Sequence, residues 1–230
     1  MTSIIGDVAD VILSPGKTIA NTMFNKKWVA VFILILVVSS FATYLTYPVT
    51  KLEQAKFIRN SELANRLSEE QLENLDKFTP MQRLTGTLFP IPITALILVV
   101  AAFFIYLFFK IGGTEGTYMN FFSGVVHASV IDMVLGGILK SALVVSQKSI
   151  MVSTGLGLLS PTSDFRNLSY LVLSQFDFFT IWYLIALAFG IAQFAKIKPQ
   201  KSIWIALAYF VFKAITVVSF SYITMRLMRI

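Results

Sequence analysis

The sequence predicts an all-α polytopic membrane protein with five transmembrane helices and an N-terminal interfacial amphipathic helix. Three observations predict it. Only 13% of the 230 residues are charged, while 56% are hydrophobic and 14% aromatic, with 21 Phe against a single His; a water-soluble domain carries about a quarter charged residues. Five stretches of roughly 20 residues run with little or no charge, each long enough to cross a ~30 Å hydrocarbon core. Basic residues cluster beside several of these stretches, where they act as interfacial anchors.

The elements follow in order. In residues 1–27, a cytoplasmic amphipathic segment, Ile4, Ile5, Val8, Val11 and Ile12 repeat at helical spacing and make one apolar face, expected to lie along the membrane surface. Asp7 and Asp10 stand where a signal peptide needs positive charge. Ser14 as N-cap and Pro15 at the first helical position divide this segment into two helices. Lys26, Lys27 and Trp28 then mark the headgroup level.

Residues 28–230 form the five-span domain. The first span runs from Trp28 to about Tyr47, and Pro48 is expected to stop it. A polar external loop over 48–87 balances six acidic residues (Glu53, Glu62, Glu69, Glu70, Glu73, Asp76) against six basic ones (Lys51, Lys56, Arg59, Arg66, Lys77, Arg83). Within it Ser68-Glu69-Glu70-Gln71 reads as a capping box, so one or two short solvated helices are expected. The second span covers about Leu88 to Phe109, with Pro90 and Pro92 in its first turn and Lys110 closing it. Gly112, Gly113 and Gly116 make a tight turn. The third span runs from Tyr118 to Leu139, ahead of Lys140, and carries His127 and Asp132. Residues 141–177 are too mixed for a span and read as interfacial, in part re-entrant. The fourth and fifth spans cover Phe178–Ala195 and Ile203–Met225, separated by Lys196, Lys198, Pro199 and Lys201.

Composition also excludes chemistry. With no Cys there is no disulfide scaffold, thiol nucleophile, iron–sulfur cluster or Cys-ligated zinc, and one His excludes a His-paired metal motif. No cofactor and no catalytic residue is expected. The net charge of +7 suits anionic lipid headgroups, so the lipid bilayer is the expected partner and nucleic acid is not. Lysines beside the spans place the N-terminus in the cytoplasm by the positive-inside rule.

Three motifs carry less than they first suggest. Gly16-Lys17-Thr18 resembles the end of a Walker A loop, but Val11 stands where that loop needs its first glycine. Glu69-Glu70 reads as a charged helix face. Asn167-Leu168-Ser169 is a formal glycosylation acceptor.

The residues a bilayer makes expensive are His127, Asp132 and Lys213. Along their helices Lys213 and His127 lie about 15 Å and 14 Å from the cytoplasmic start of their spans and Asp132 about 21 Å. An Asp132–Lys213 contact is within a lysine's reach, as a structural pair or as part of a relay. Asn120, Ser123 and His127 form one stripe of the third span; Ser129, Asp132 and Gly136 form another, which separates His127 from Asp132 by about 140°. Ala186 and Gly190, with Ala188 and Ala192, fit close helix packing in the fourth span.

Leu13-Ser14-Pro15-Gly16-Lys17-Thr18 ahead of Lys-Lys-Trp, the turn Gly112-Gly113-Thr114-Glu115-Gly116-Thr117-Tyr118, and Phe176-Asp177-Phe178-Phe179-Thr180-Ile181-Trp182 leading to Phe189-Gly190-Ile191 resemble the Yip domain family (Ypt/Rab-interacting proteins), in particular its short bacterial branch. The resemblance covers nearly the whole chain. It implies a non-enzymatic integral membrane protein, an accessory or scaffold acting through membrane partners or on the bilayer, and some bacterial members are associated with ABC-type exporters. Eukaryotic members carry a longer N-terminal region with an Asp-Leu-x-Gly-Pro signature; this chain lacks it, so a Rab GTPase partner is not expected. The implied location is the cytoplasmic (inner) membrane of a bacterium, or a Golgi or ER membrane in a eukaryote, and a homo-oligomer is compatible with it. The rival reading is a small transporter or channel using His127, Asp132 and Lys213.

Overall fold

A computed structural model of the chain describes residues 4–160 and 167–227, and the long elements among them are all helices. Four helical runs are long and apolar enough to cross a membrane: Val29–Arg59, Pro80–Ile111, Tyr118–Gln147 and Pro199–Thr224. A fifth apolar helix, Phe178–Phe194, has 17 residues. At ~1.5 Å per residue it reaches about 25 Å, the lower limit for a span.

The chain begins with α1 (Ile4–Leu13) and α2 (Pro15–Asn25). Ser14 holds the N-cap position and Pro15 the first turn, although the Ser14 side chain makes no capping bond. The side chains of Ile4, Ile5 and Val8 lie outside the described residues. Val11 is fully buried in the core, and so are Ile19 and Met23 of α2. Of the apolar face expected to lie on lipid, Val11 is thus covered by protein. Ile12 is half-buried, Lys26 and Lys27 are exposed, and Trp28 packs edge-on against Phe122 at 5.0 Å between centroids.

Helix α3 (Val29–Arg59) passes through Pro48, where the sequence predicts a stop. Proline removes the N–H that would bond the carbonyl four residues back, and that carbonyl belongs to Tyr44. Arg83 replaces the missing donor: its Nε and Nη2 donate to the Tyr44 carbonyl at 3.2 and 2.8 Å, and its guanidinium lies 3.8 Å from the Tyr44 ring centroid. The helix therefore continues for another 11 residues to Arg59, whose guanidinium bonds Asp76 at 3.1 Å and the Leu72 carbonyl at 3.0 Å. Beyond it lie a short 3-10 turn (Glu62–Arg66), α4 (Glu69–Glu73) and α5 (Pro80–Leu88). The Ser68–Gln71 capping box forms as expected; a second, Thr79–Gln82, starts α5.

Helix α6 (Pro90–Ile111) ends at the glycine turn, where Gly113 and Gly116 hold φ of +75° and +126°, backbone that other residues adopt only under strain. Helix α7 (Tyr118–Ser129), a π-helical segment (Val130–Gly136) and α8 (Gly137–Gln147) then run on without a break, eight residues beyond the expected end at Leu139. After a loop containing a 3-10 turn (Leu156–Leu159) comes α9 (Leu168–Leu173), capped by the Asn167 side chain; then α10 (Phe178–Phe194) and α11 (Pro199–Leu227).

Helix α2 sits on α7 and α10 through three glycines. An ideal Cβ on Gly190 would lie 2.4 Å from Ile19 Cγ2; on Gly124, 2.9 Å from Met23 Cγ; and on Gly16, 2.9 Å from Gln193 Nε2. The small-residue face of α10 thus serves close packing as expected, with the N-terminal segment as its partner. The connections 112–117 and 195–198, together with α2, collect Lys26, Lys27, Lys110, Lys196, Lys198 and Lys201 at one end of the bundle; the loop 60–79 occupies the other.

Candidate functional site

The polar residues inside the bundle form two groups. The first is the stripe on α7. The Asn120 amide donates to the Met23 carbonyl at 2.8 Å, and the Ser123 hydroxyl donates to the Thr22 carbonyl at 2.8 Å. These are two of the last four carbonyls of α2, which have no partner within their own helix. His127, one turn further along α7, is buried, and its Nδ1 lies 2.9 Å from the Ser123 carbonyl. Asn120 and Ser123 are the polar seat of α2.

The second group surrounds the π segment. Lys140 Nζ lies 3.5 Å from Asp132 Oδ1 and 3.2 Å from Asp177 Oδ1, so one ammonium bridges two carboxylates. Asp177 Oδ1 also accepts the backbone N–H groups of Phe179 and Thr180 at 3.0 and 3.3 Å as the N-cap of α10, and Asp177 Oδ2 accepts the Thr154 hydroxyl. The Thr180 hydroxyl donates to Asp132 Oδ2 at 3.4 Å.

Backbone geometry brings these groups together. Asp132 and Lys140 are eight residues apart, which on an α-helix separates them by about 80°. A π segment accommodates an extra residue, so the pair behaves as residues seven apart, about 20° from alignment and two turns along. Gly155 holds the incoming loop: the backbone N–H of Leu156 donates to the Phe176 carbonyl at 3.1 Å, and that of Phe178 to the Thr154 carbonyl at 3.3 Å. A Cβ at Gly155 would fall 2.1 Å from the Phe176 carbonyl oxygen. Burial alone would raise the Asp177 carboxyl; the Thr154 hydroxyl, Lys140 and the Thr180 N–H outweigh it and hold the group below its ordinary value.

His127 lies against the Ser123 carbonyl, and Asp132 takes Lys140 and Thr180 as partners instead of the Lys213 contact that the sequence allows. Lys213 on α11 stands in the electrostatic field of Asp132, Lys140 and Asp177, yet among the described residues it closes no ion pair with them. Lys140, read from sequence as the end of a span, holds Asp132 instead. Asp177, Thr154 and Thr180 were not singled out from sequence either. Asp177 ahead of Phe178-Phe179-Thr180 was readable as a helix N-cap; the Thr154 contact across 23 residues carries no local signal. Among the described residues, no three His, Asp or Glu side chains converge as metal ligands.

Comparison with known proteins adds one match. The model of the Yip1 domain matches residues 9–221. No curated protein and no solved structure matches the chain.

Proposed function

The chain belongs to the Yip1 domain family, an integral membrane protein family, and from that premise we propose that it is a non-enzymatic accessory or scaffold protein acting through membrane partners, with an ABC-type exporter as the partner class that the resemblance to the family's bacterial branch implies. The observation that carries this reading is the double bridge of Lys140 to Asp132 and Asp177. A relay needs an ionisable group free to change state along a path. Here both carboxylates are committed to one ammonium, and Asp177 is also committed to starting α10. Asn120 and Ser123 are likewise committed to seating α2. Spending its interior polar groups on helix-to-helix ties leaves the exterior faces to act. The lysine-rich end is assigned to the cytoplasm of a bacterial inner membrane, on the weight of Lys26, Lys27, Lys196, Lys198 and Lys201 beside span ends.

The transporter reading keeps one observation, the proximity of Lys213 to the cluster, and the same experiment decides between them. The purified chain alone in proteoliposomes should move no ions above protein-free vesicles, while its depletion from cells should lower the abundance or flux of a co-purifying exporter. Ion flux by the chain alone, lost in folded Asp132→Asn and Lys213→Met variants, would overturn the accessory reading.

A further inference from the structure

A groove of about 520 Å³ lies between α6 and α11 at the lysine-rich end. Phe108 and Ile111 wall it on one side and Trp204, Ile205 and Ala208 on the other, with Lys201 at its rim. Close approach of the two helices makes it: a Cβ at Gly112 would fall 2.5 Å from Ile205 Cδ1. The left-handed Gly113 turn lies against the rim, with its ideal Cβ position 3.9 Å from Lys201 Nζ. Lys201 is exposed, and among the described residues neither it nor the nearby Lys110 and Lys198 has a carboxylate partner. Trp204 and Ile111 are 69% and 79% exposed, an apolar surface at the depth where indole rings and headgroups meet.

The geometry points to a binding site for a single anionic phospholipid, its acyl chain in the groove and its phosphate against Lys201. Charge selects this occupant. An apolar slot alone would take any acyl chain, but a lysine without a carboxylate at its mouth, with Lys110 and Lys198 near the same helix ends, favours a headgroup of net negative charge. Two other grooves supply the contrast. One between α10 and α11, about 250 Å³, and one between α3 and α8, about 670 Å³, have no charged side chain in their walls, and no headgroup preference follows for them. The inference goes beyond the accessory reading and does not depend on which partner the protein serves.

Native mass spectrometry of the purified full chain tests it, with phosphatidylglycerol and phosphatidylcholine of matched acyl chains supplied together. One unit of net negative headgroup charge beside a lysine near a membrane surface corresponds to about fivefold tighter binding of the anionic lipid than of the zwitterionic one. Lys201→Gln should abolish that preference, Lys201→Arg should keep it, and Ala208→Trp, by filling the groove, should reduce binding of both lipids at the site. Soluble glycerol phosphate should not displace the lipid. Equal binding of the two lipids by the wild type, a preference unchanged in Lys201→Gln, or displacement by the free phosphate would overturn the proposal. Each variant is compared at an unchanged melting temperature, which the exposed position of Lys201 leads us to expect.

Discussion

Replacing Lys140 with Met should destabilise the protein by about 3 kcal/mol. The estimate comes from the two ion pairs it holds. Breaking a fully buried pair costs about 3–5 kcal/mol, and breaking an exposed one at most about 1 kcal/mol. The Asp132 contact is longer, 3.5 Å, and both side chains are about a third open, at 34% and 28% exposure; it is assigned about 1 kcal/mol. The Asp177 contact is 3.2 Å to a carboxylate only 11% exposed and is assigned about 2 kcal/mol. The sum lowers the folding equilibrium about 100-fold. Asp132→Asn alone should cost about 1 kcal/mol, and adding it to Lys140→Met should cost almost nothing more, because its partner is already gone. Double-mutant cycles on the purified protein, read by thermal or detergent-induced unfolding, check the assignment. The Asp132–Lys140 coupling should be about 1 kcal/mol, and the Asp132–Lys213 coupling below about 0.3 kcal/mol. An Asp132–Lys213 coupling equal to or above the Asp132–Lys140 value would refute the reasoning, as would a Lys140→Met variant as stable as wild type.

Three further outcomes follow from the same contacts. Arg83→Ala should cost about 2 kcal/mol in wild type, the value of a hydrogen bond from a charged donor plus its cation–π contact, and far less in Pro48→Ala, where the restored N–H can bond the Tyr44 carbonyl; equal costs in the two backgrounds would dismiss the replacement-donor account. Gly190→Ala should cost about 1–3 kcal/mol, since its Cβ meets Ile19 next to the backbone, and should raise thiol labelling of an introduced Met23→Cys; unchanged labelling would mean that α2 does not rest on α10. Because the Asp177 carboxyl is held below its ordinary value in the folded state, the stability it contributes is present above the unfolded-state pKa of about 3.9 and is lost as pH falls through the folded-state value. A pH titration of unfolding should show a smaller acid loss in Asp177→Asn than in wild type, and identical acid limbs would count against that pairing.

Much of the fold was legible because the bilayer writes it in long apolar runs. The spans, the Ser68 capping box, the glycine turn and the close packing at Gly190 follow from local composition and spacing. Other features depended on distant residues. Pro48 is a stop only while nothing else feeds the Tyr44 carbonyl, and Arg83, 39 residues away, does so. Val11 belongs to a face, with Ile4, Ile5, Val8 and Ile12, that has the spacing of a lipid-facing helix. The same spacing serves a helix that lies on protein, so periodicity could not distinguish the two surfaces; the Asn120 and Ser123 side chains that receive α2 were visible only as a stripe without a known addressee.

The candidate site shows the same limit in sharper form. Helical arithmetic on an ideal α-helix turns Asp132 away from Lys140 by about 80° and leaves Lys213, on another span, as its nearest available partner. One additional residue in the π segment reverses that preference by bringing Lys140 around to the carboxylate. Nothing in Val130–Gly136 announces the change, because the segment contains no proline and its glycine stands at the end. What stabilises the wider turn is the return it makes possible: Lys140 reaches Asp132 below it and Asp177 on the incoming loop, and Asp177 in turn starts α10. The π segment, the double ion pair and the helix cap form one connected device, so a variant that inserts one residue between Gly136 and Lys140 should turn the pair back to about 80° apart and lose the Asp132–Lys140 coupling even though both residues remain, whereas deleting one residue to leave them seven apart on a regular α-helix should keep it. A coupling that survived the insertion would show that side-chain length, not helical register, makes the pair.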